Sequence, residues 1–179
     1  MNLYMKKITA DFKETDEWQK INNNAFPKEE RMDIEQIIQL IDENIFEVWA
    51  FYDEEQFVGY CALVTDEKTA YIFFLAIDSE KRSMGYGGQG LSLIKKQYSD
   101  CQVVVDLEAI EEEAPNIAQR KTRRKFYLRN GFFVTSYYLK YRGMEMEVLC
   151  ADENFNKDIF QKLLDNVTIE NENYLLYKK

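Results

Sequence analysis

The chain has 179 residues, 46% of them hydrophobic and 31% charged, a net charge of −9 and no histidine. That length carries one domain with a real core; the missing histidine removes Ser-His, Cys-His and His-metal chemistry, and the acidic balance argues against general nucleic-acid binding while suiting a cationic substrate. No apolar run approaches the ~20 residues of a membrane span, and residues 1–7 hold no apolar core of signal-peptide length, so a cytoplasmic protein with no membrane partner is expected.

Residues 3–8 predict a first strand. Trp18, Ile21, Ala25 and Phe26 then share a helical face, with Asp16 and Gln19 at capping-box spacing and Pro27 as a stop. Asp33 and Gln36 repeat that spacing ahead of a second helix. Its stripe is Ile34, Ile37, Ile38 and Ile41, an i, i+3, i+4, i+7 pattern. Strands are expected over 46–52 and 56–65, with a polar hairpin turn at 53–55. A second polar turn at 66–68 leads into the apolar block Ala70-Tyr71-Ile72-Phe73-Phe74-Leu75-Ala76-Ile77, which reads as a buried strand closing an antiparallel meander.

A polar link, 78–84, separates that strand from Gly85-Tyr86-Gly87-Gly88-Gln89-Gly90. Beyond it Gly87, Leu91, Ile94 and Tyr98 recur at helical spacing, with Lys95 and Lys96 in the last turns. A strand, a glycine-rich loop and a helix N-terminus make a corner that offers backbone N–H groups to an anion, most often a phosphate. A strand over 101–108 follows, and a helix between two strands implies a crossover and a parallel pair. Asp106 and Glu108 then fall on one face near the strand's end. An acidic loop, Glu111-Glu112-Glu113, precedes a basic helix over 116–130, closed by Asn130-Gly131. Strands at 132–140 and 144–150 flank a turn at Arg142-Gly143. Asn154 is expected to cap a last helix with Phe155, Ile159, Phe160 and Leu163 inward. The tail 171–179 carries Tyr174-Leu175-Leu176-Tyr177 without a sign of where it packs. Cys61, Cys101 and Cys150 are odd in number and far apart, so buried free thiols are expected rather than a disulfide or metal site.

Gly85, Gly87 and Gly90 spell the dinucleotide pattern G-x-G-x-x-G. The polar link after the strand and the closing hairpin both speak against that reading. Arg82-Ser83-Met84-Gly85-Tyr86-Gly87 fits a more specific pattern, R/Q-x-x-G-x-G/A. It resembles the acyl-CoA-binding motif of the GNAT superfamily of N-acyltransferases. Arg124-Lys125-Phe126-Tyr127-Leu128-Arg129-Asn130-Gly131-Phe132 is similar to the FYxxxGF ending of that family's fourth helix, and the order of elements agrees over residues 1–150.

The resemblance implies one α/β domain spanning 1–179, with a mixed, mainly antiparallel sheet of about seven strands flanked by helices and an extension at 151–179. It implies acetyl-CoA as co-substrate. Backbone groups of Leu75, Ala76 and Ile77 would run along the pantetheine arm, and N–H groups of Arg82, Ser83, Met84, Gly85, Tyr86, Gly87 and Gly88 would hold the pyrophosphate. Tyr127 would be the general acid. Two departures stand out: Ser83 where the family commonly has glycine, and Arg120 where it often has asparagine. For the amine's proton, Glu108, Asp106 or a water are candidates. Either carboxylate could instead pair with the basic helix or hold the substrate's cation. The expected function is acetyl transfer to a primary amine by direct attack. The rivals are a non-catalytic CoA-binding sensor or partner-binding module, and a nucleic-acid module using the basic helix. No metal is expected. A homodimer is compatible with the resemblance, and the amine has no motif.

Overall fold

The computed structural model describes residues 2–9, 11–28, 30–167, 169 and 173–179. Five helices and eight strands are present among them, and the strands follow the sheet order β1-β2-β3-β4-β5-β7-β6-β8. Two compact units divide the chain, one holding residues up to Thr65 with Ile72–Gln97, the other Asp66–Tyr71 with Tyr98–Lys179.

The first unit contains β1 (Leu3–Lys7), α1 (Thr15–Ala25), α2 (Ile34–Asp42), β2 (Glu47–Asp53), β3 (Gln56–Thr65), most of β4 (Thr69–Ile77) and α3 (Tyr86–Gln97). β1 and β3 flank β2, both antiparallel to it. The expected hairpin turn holds Glu54 at φ 56, left-handed backbone in a tight reversal. α1 starts at Thr15 after Glu14, and no side chain caps it, so the Asp16–Gln19 capping box does not form. Asp16 lies instead in the first turn, where its charge suits the helix dipole. The Asp33–Gln36 box does form at α2. Trp18, Ile21, Ile34 and Ile37 are buried, each such side chain stabilising by about 1.5–3 kcal/mol. Ala25, Phe26, Ile38 and Ile41 of the expected stripes are partly exposed. Asn22 is also buried, accepting from the Tyr60 hydroxyl at 2.7 Å and donating to the Met32 carbonyl at 2.7 Å. That pair of bonds ties α1 to β3 and to the segment entering α2, leaving the amide satisfied.

The second unit contains the start of β4, β5 (Gln102–Glu108), α4 (Ile117–Arg129), β6 (Phe133–Tyr141), β7 (Met144–Cys150), α5 (Lys157–Asn166) and β8 (Leu175–Lys178). β7 lies between β5 and β6, antiparallel to both. Arg142 (φ 50) and Gly143 (φ 71) are both left-handed, the geometry that joins two strands by a two-residue turn. α5 is capped by Asn156, not Asn154: its side chain accepts from the N–H groups of Asp158 and Ile159. The N–H of Asn154 goes to Asp152 Oδ1, a local turn that keeps this residue out of the helix. Phe160 and Leu163 are buried as expected, whereas Phe155 and Ile159 are partly exposed.

The tail supplies an eighth strand beyond the seven expected, β8 pairing antiparallel with β6. Asn171 and Glu172, at the head of that expected tail, lie outside the described residues. Cys61 and Cys150 are buried free thiols; Cys101 is partly exposed, because it sits in the turn before β5 rather than in the strand. No helix of the described residues is long and apolar enough to cross a membrane.

Candidate active site

In the first unit the candidate cofactor-binding residues lie at the corner between β4 and α3. Leu75, Ala76 and Ile77 end β4, with Ala76 buried and its neighbours partly exposed. β3 comes so close here that a Cβ at Gly59 would lie 2.3 Å from the Ala76 carbonyl oxygen. Asp78 then caps a single 3₁₀ turn, Ser79–Lys81. The Arg82 guanidinium donates to the Asn24 carbonyl at 3.0 Å, at the end of α1. That bond ties the loop to the end of α1. Ser83 (φ 65) and Gly85 (φ 90) are left-handed, flanking an exposed Met84. Such alternation gathers successive N–H groups into an anion-binding curl.

α3 is fixed by two contacts on β2. The buried Tyr86 donates its hydroxyl to Asp53 Oδ2 at 2.6 Å. A Cβ at Gly90 would lie 2.9 Å from the Phe51 ring, so glycine there lets the helix sit close on the strand. The helical ladder opens with the Gln89 N–H bonding the Gly85 carbonyl at 3.1 Å. The N–H groups of Tyr86, Gly87 and Gly88 precede that bond and have no acceptor within the helix. No carboxylate occupies the first turn, so the dipole's positive end is left for a ligand.

In the second unit the candidate residues are Tyr127 on α4 and Glu108 and Asp106 on β5. Tyr127 is buried, 6% exposed. The chain locks it by ending α4 in a Schellman motif. The Phe132 N–H bonds the Tyr127 carbonyl, the Gly131 N–H bonds that of Leu128, and Gly131 has φ 80. The same motif seats the Phe132 ring edge-on against Tyr127, with centroids 5.3 Å apart. Asn130-Gly131-Phe132 thus explains in local terms why this tyrosine has one position.

Glu108 does not stand as a lone carboxylate. It accepts from Asn116 Nδ2 at 3.0 Å and pairs with Arg120 at 3.1 Å and Arg123 at 3.2 Å. Arg120 also donates to Asn116 Oδ1 and to the Ala109 carbonyl, each at 2.8 Å. Arg124 clasps Glu147 of β7 with two bonds, at 2.7 and 3.1 Å. The basic helix spends these charges on β5 and β7, with Lys121 left to Glu112 of the acidic loop. Of the roles open to Glu108 in the sequence, the geometry favours partner of the basic helix over base. Arg123 and Tyr127 are one turn apart on α4, so the clamp on Glu108 also sets the turn carrying Tyr127.

Asp106 accepts from the hydroxyls of Tyr71 at 2.8 Å and Tyr141 at 3.1 Å. Desolvation raises its pKa above the usual carboxylate value, against the pull of those two donors. Both phenols are held well above their ordinary value, desolvation leading and the Asp106 charge adding to it. Tyr71 and Tyr141 each lie 35 positions from Asp106, so no local pattern pairs them with it. The structure therefore groups the cofactor-binding candidates in one unit and Tyr127, Glu108 and Asp106 in the other.

Residues 44–134 match the family model of the acetyltransferase (GNAT) domain. The chain belongs to the GNAT acetyltransferase family. No curated protein matches it. Among solved structures, it resembles a protein from Bacteroides thetaiotaomicron assigned to the GNAT family, with a TM-score of 0.74 and 22% identity over 91% of this chain and 97% of that one. A GNAT family acetyltransferase from Elizabethkingia anophelis with acetyl-CoA bound gives 0.56 and 18%, over 83% and 97%. The aminoglycoside 6'-N-acetyltransferase from Enterococcus faecium gives 0.63 and 9%, over 86% and 99%. At such identities the likeness is one of fold.

Proposed function

We propose that this acetyltransferase moves the acetyl group of acetyl-CoA to a primary amine by direct attack. The observation that carries the reading is Tyr127, a phenol fixed by the Schellman turn in the segment matching the family's fourth-helix ending. A module that only bound CoA would have no use for a proton donor there. In this reading the α3 corner takes the pyrophosphate on the N–H groups of Arg82 to Gly88. Leu75, Ala76 and Ile77 run beside the pantetheine, as the acetyl-CoA-bound relative from Elizabethkingia anophelis encourages.

The amine attacks the thioester carbonyl in its neutral form, the C–S bond breaks, and Tyr127 protonates the departing thiolate. Glu108 already holds two guanidinium groups, so it serves as a positioning residue. A protonated amine gives its first proton to water before attack; after attack the nitrogen, now cationic, loses a second proton to water, and Tyr127 regains its proton from solvent. An acyl-enzyme route through cysteine is disfavoured, since burial pushes the Cys61 thiol up and that of Cys150 up to about 11, leaving little thiolate at neutral pH.

The test is release of free CoA thiol from acetyl-CoA across a panel of amines. Amine-dependent release is expected. Tight acetyl-CoA binding without release on any amine would favour the non-catalytic module.

A further inference from the structure

The helix that carries Tyr127 is seated on the sheet by charge. α4 buries one side chain, Tyr127 itself. At about 100° per residue, Arg120, Arg123, Arg124 and Tyr127 follow the i, i+3, i+4, i+7 spacing of a single face. Three of those four positions, where a docked helix usually carries apolar residues, are arginines. Arg120 and Arg123 meet Glu108 of β5, and Arg124 meets Glu147 of β7.

Arg124 grips its carboxylate with two hydrogen bonds, Nε to Oε2 at 2.7 Å and Nη2 to Oε1 at 3.1 Å. Two bonds between planar groups set rotation as well as distance, which apolar contact does not. Glu147 is 6% exposed, and no other Asp, Glu, Lys or Arg among the described residues is buried. A buried carboxylate without its cation is costly, so the fork is held closed. Glu147 pairs with Leu107 of β5 on one side and Tyr138 of β6 on the other, so the anchor stands within the sheet and not at its edge. Arg124 lies one turn before Tyr127, about 4.5 Å along the helix axis. Beyond Tyr127 the chain turns to Phe132, whose ring lies against the phenol, and enters β6. The phenol is thus tied to β7 through Arg124 and to β6 through Phe132.

We propose that Arg124 and Glu147 are positioning residues for the thiolate-protonating Tyr127: their fork sets the rotation of α4, and with it the place of the phenol hydroxyl. The proposal rests on the acetyl-transfer reading, in which Tyr127 is the acid, and adds what places that acid. Proton transfer needs the hydroxyl within hydrogen-bond reach of the sulfur, and a displacement of about 1 Å can cost about 10²-fold in rate.

The test is a double-mutant cycle in steady-state kinetics, with acetyl-CoA and an amine that releases thiol. Arg124→Lys keeps the charge and loses the fork. It should lower kcat about tenfold or more, with acetyl-CoA affinity near native by calorimetry. In the Tyr127→Phe background the same change should lower kcat by less than about twofold, because the group it places is already gone. Glu147→Gln, which keeps one acceptor oxygen without the charge, should follow the same pattern, and is read in place of Arg124→Lys if that variant does not fold. A native kcat in Arg124→Lys would overturn the proposal. So would an equal loss in both backgrounds, since a pair that only holds the fold acts with or without the hydroxyl, and so would loss of folding in both variants. Near-native turnover in Tyr127→Phe, or no thiol release with any amine, would defeat the underlying reading and this role with it. A large loss in Tyr127→Phe with equal effects in both backgrounds would defeat the positioning role alone.

Discussion

At the scale of single residues, the proposed chemistry divides into proton transfer by Tyr127 and placement by Glu108. Tyr127→Phe keeps the ring against Phe132 and removes only the hydroxyl. A lost general acid typically costs ~10²–10⁴ in rate, about 3–5 kcal/mol of barrier. We expect kcat to fall in that range with acetyl-CoA affinity and melting temperature near native. Near-native turnover in steady-state kinetics would make Tyr127 a core aromatic. Glu108→Gln should behave differently. It removes the charge that Arg120 and Arg123 share and leaves Arg120 only its longer contact with Glu111 at 3.9 Å, in a place where Glu108 is 10% exposed and Arg120 16%. Breaking such a pair costs on the order of 3 kcal/mol. The expected result is a lower melting temperature and the same fractional loss of turnover at every pH. A defect that shrinks as pH rises, where more amine is already neutral, would instead restore Glu108 as the base.

At the scale of elements, the corner between β4 and α3 was legible because several signals agree there. The apolar block, the glycines and the terminal lysines of α3 each mark a different part of it. The strands Gln56–Thr65 and Met144–Cys150 fall at the positions expected, bounded by turns whose chemistry is local. Capping was less legible. A capping box at Asp33–Gln36 forms and one at Asp16–Gln19 does not, although the spacing is the same. The difference arises one step earlier in the chain, where α1 already begins at Thr15. Asn156 takes the cap expected of Asn154 because Asp152 engages the latter's N–H. Gly87, in the first turn of α3, carries the prediction for this scale. A valine there would place a branched side chain where the pyrophosphate approaches the backbone. Calorimetry should show acetyl-CoA affinity lost in Gly87→Val with the fold retained, and unchanged affinity would remove the phosphate site from this corner.

At the scale of the whole molecule, family and fold were readable from two short segments and the order of elements, and the long-range partners of individual side chains were not. Tyr71 and Asp106 meet across 35 positions, and Tyr177 reaches Glu145 across 32. Periodicity reports which face a residue occupies, not which distant residue it meets. Asn22 shows the same limit: a polar residue on an apolar helix face reads as an interruption until Tyr60 and Met32 are seen to satisfy it. The net charge of −9 agrees with a cationic acceptor, and it acts at the level of attraction rather than of any one contact. The claim that ties these scales together is acetyl transfer to an amine, and a product balance tests it most directly. Acetyl-CoA and an active amine would be incubated with the native protein, and CoA thiol and acetylated amine quantified together. The account predicts equal amounts of the two, and neither product when the amine is left out. Thiol released without acetylated amine, as hydrolysis would give, or no thiol at all, would contradict it.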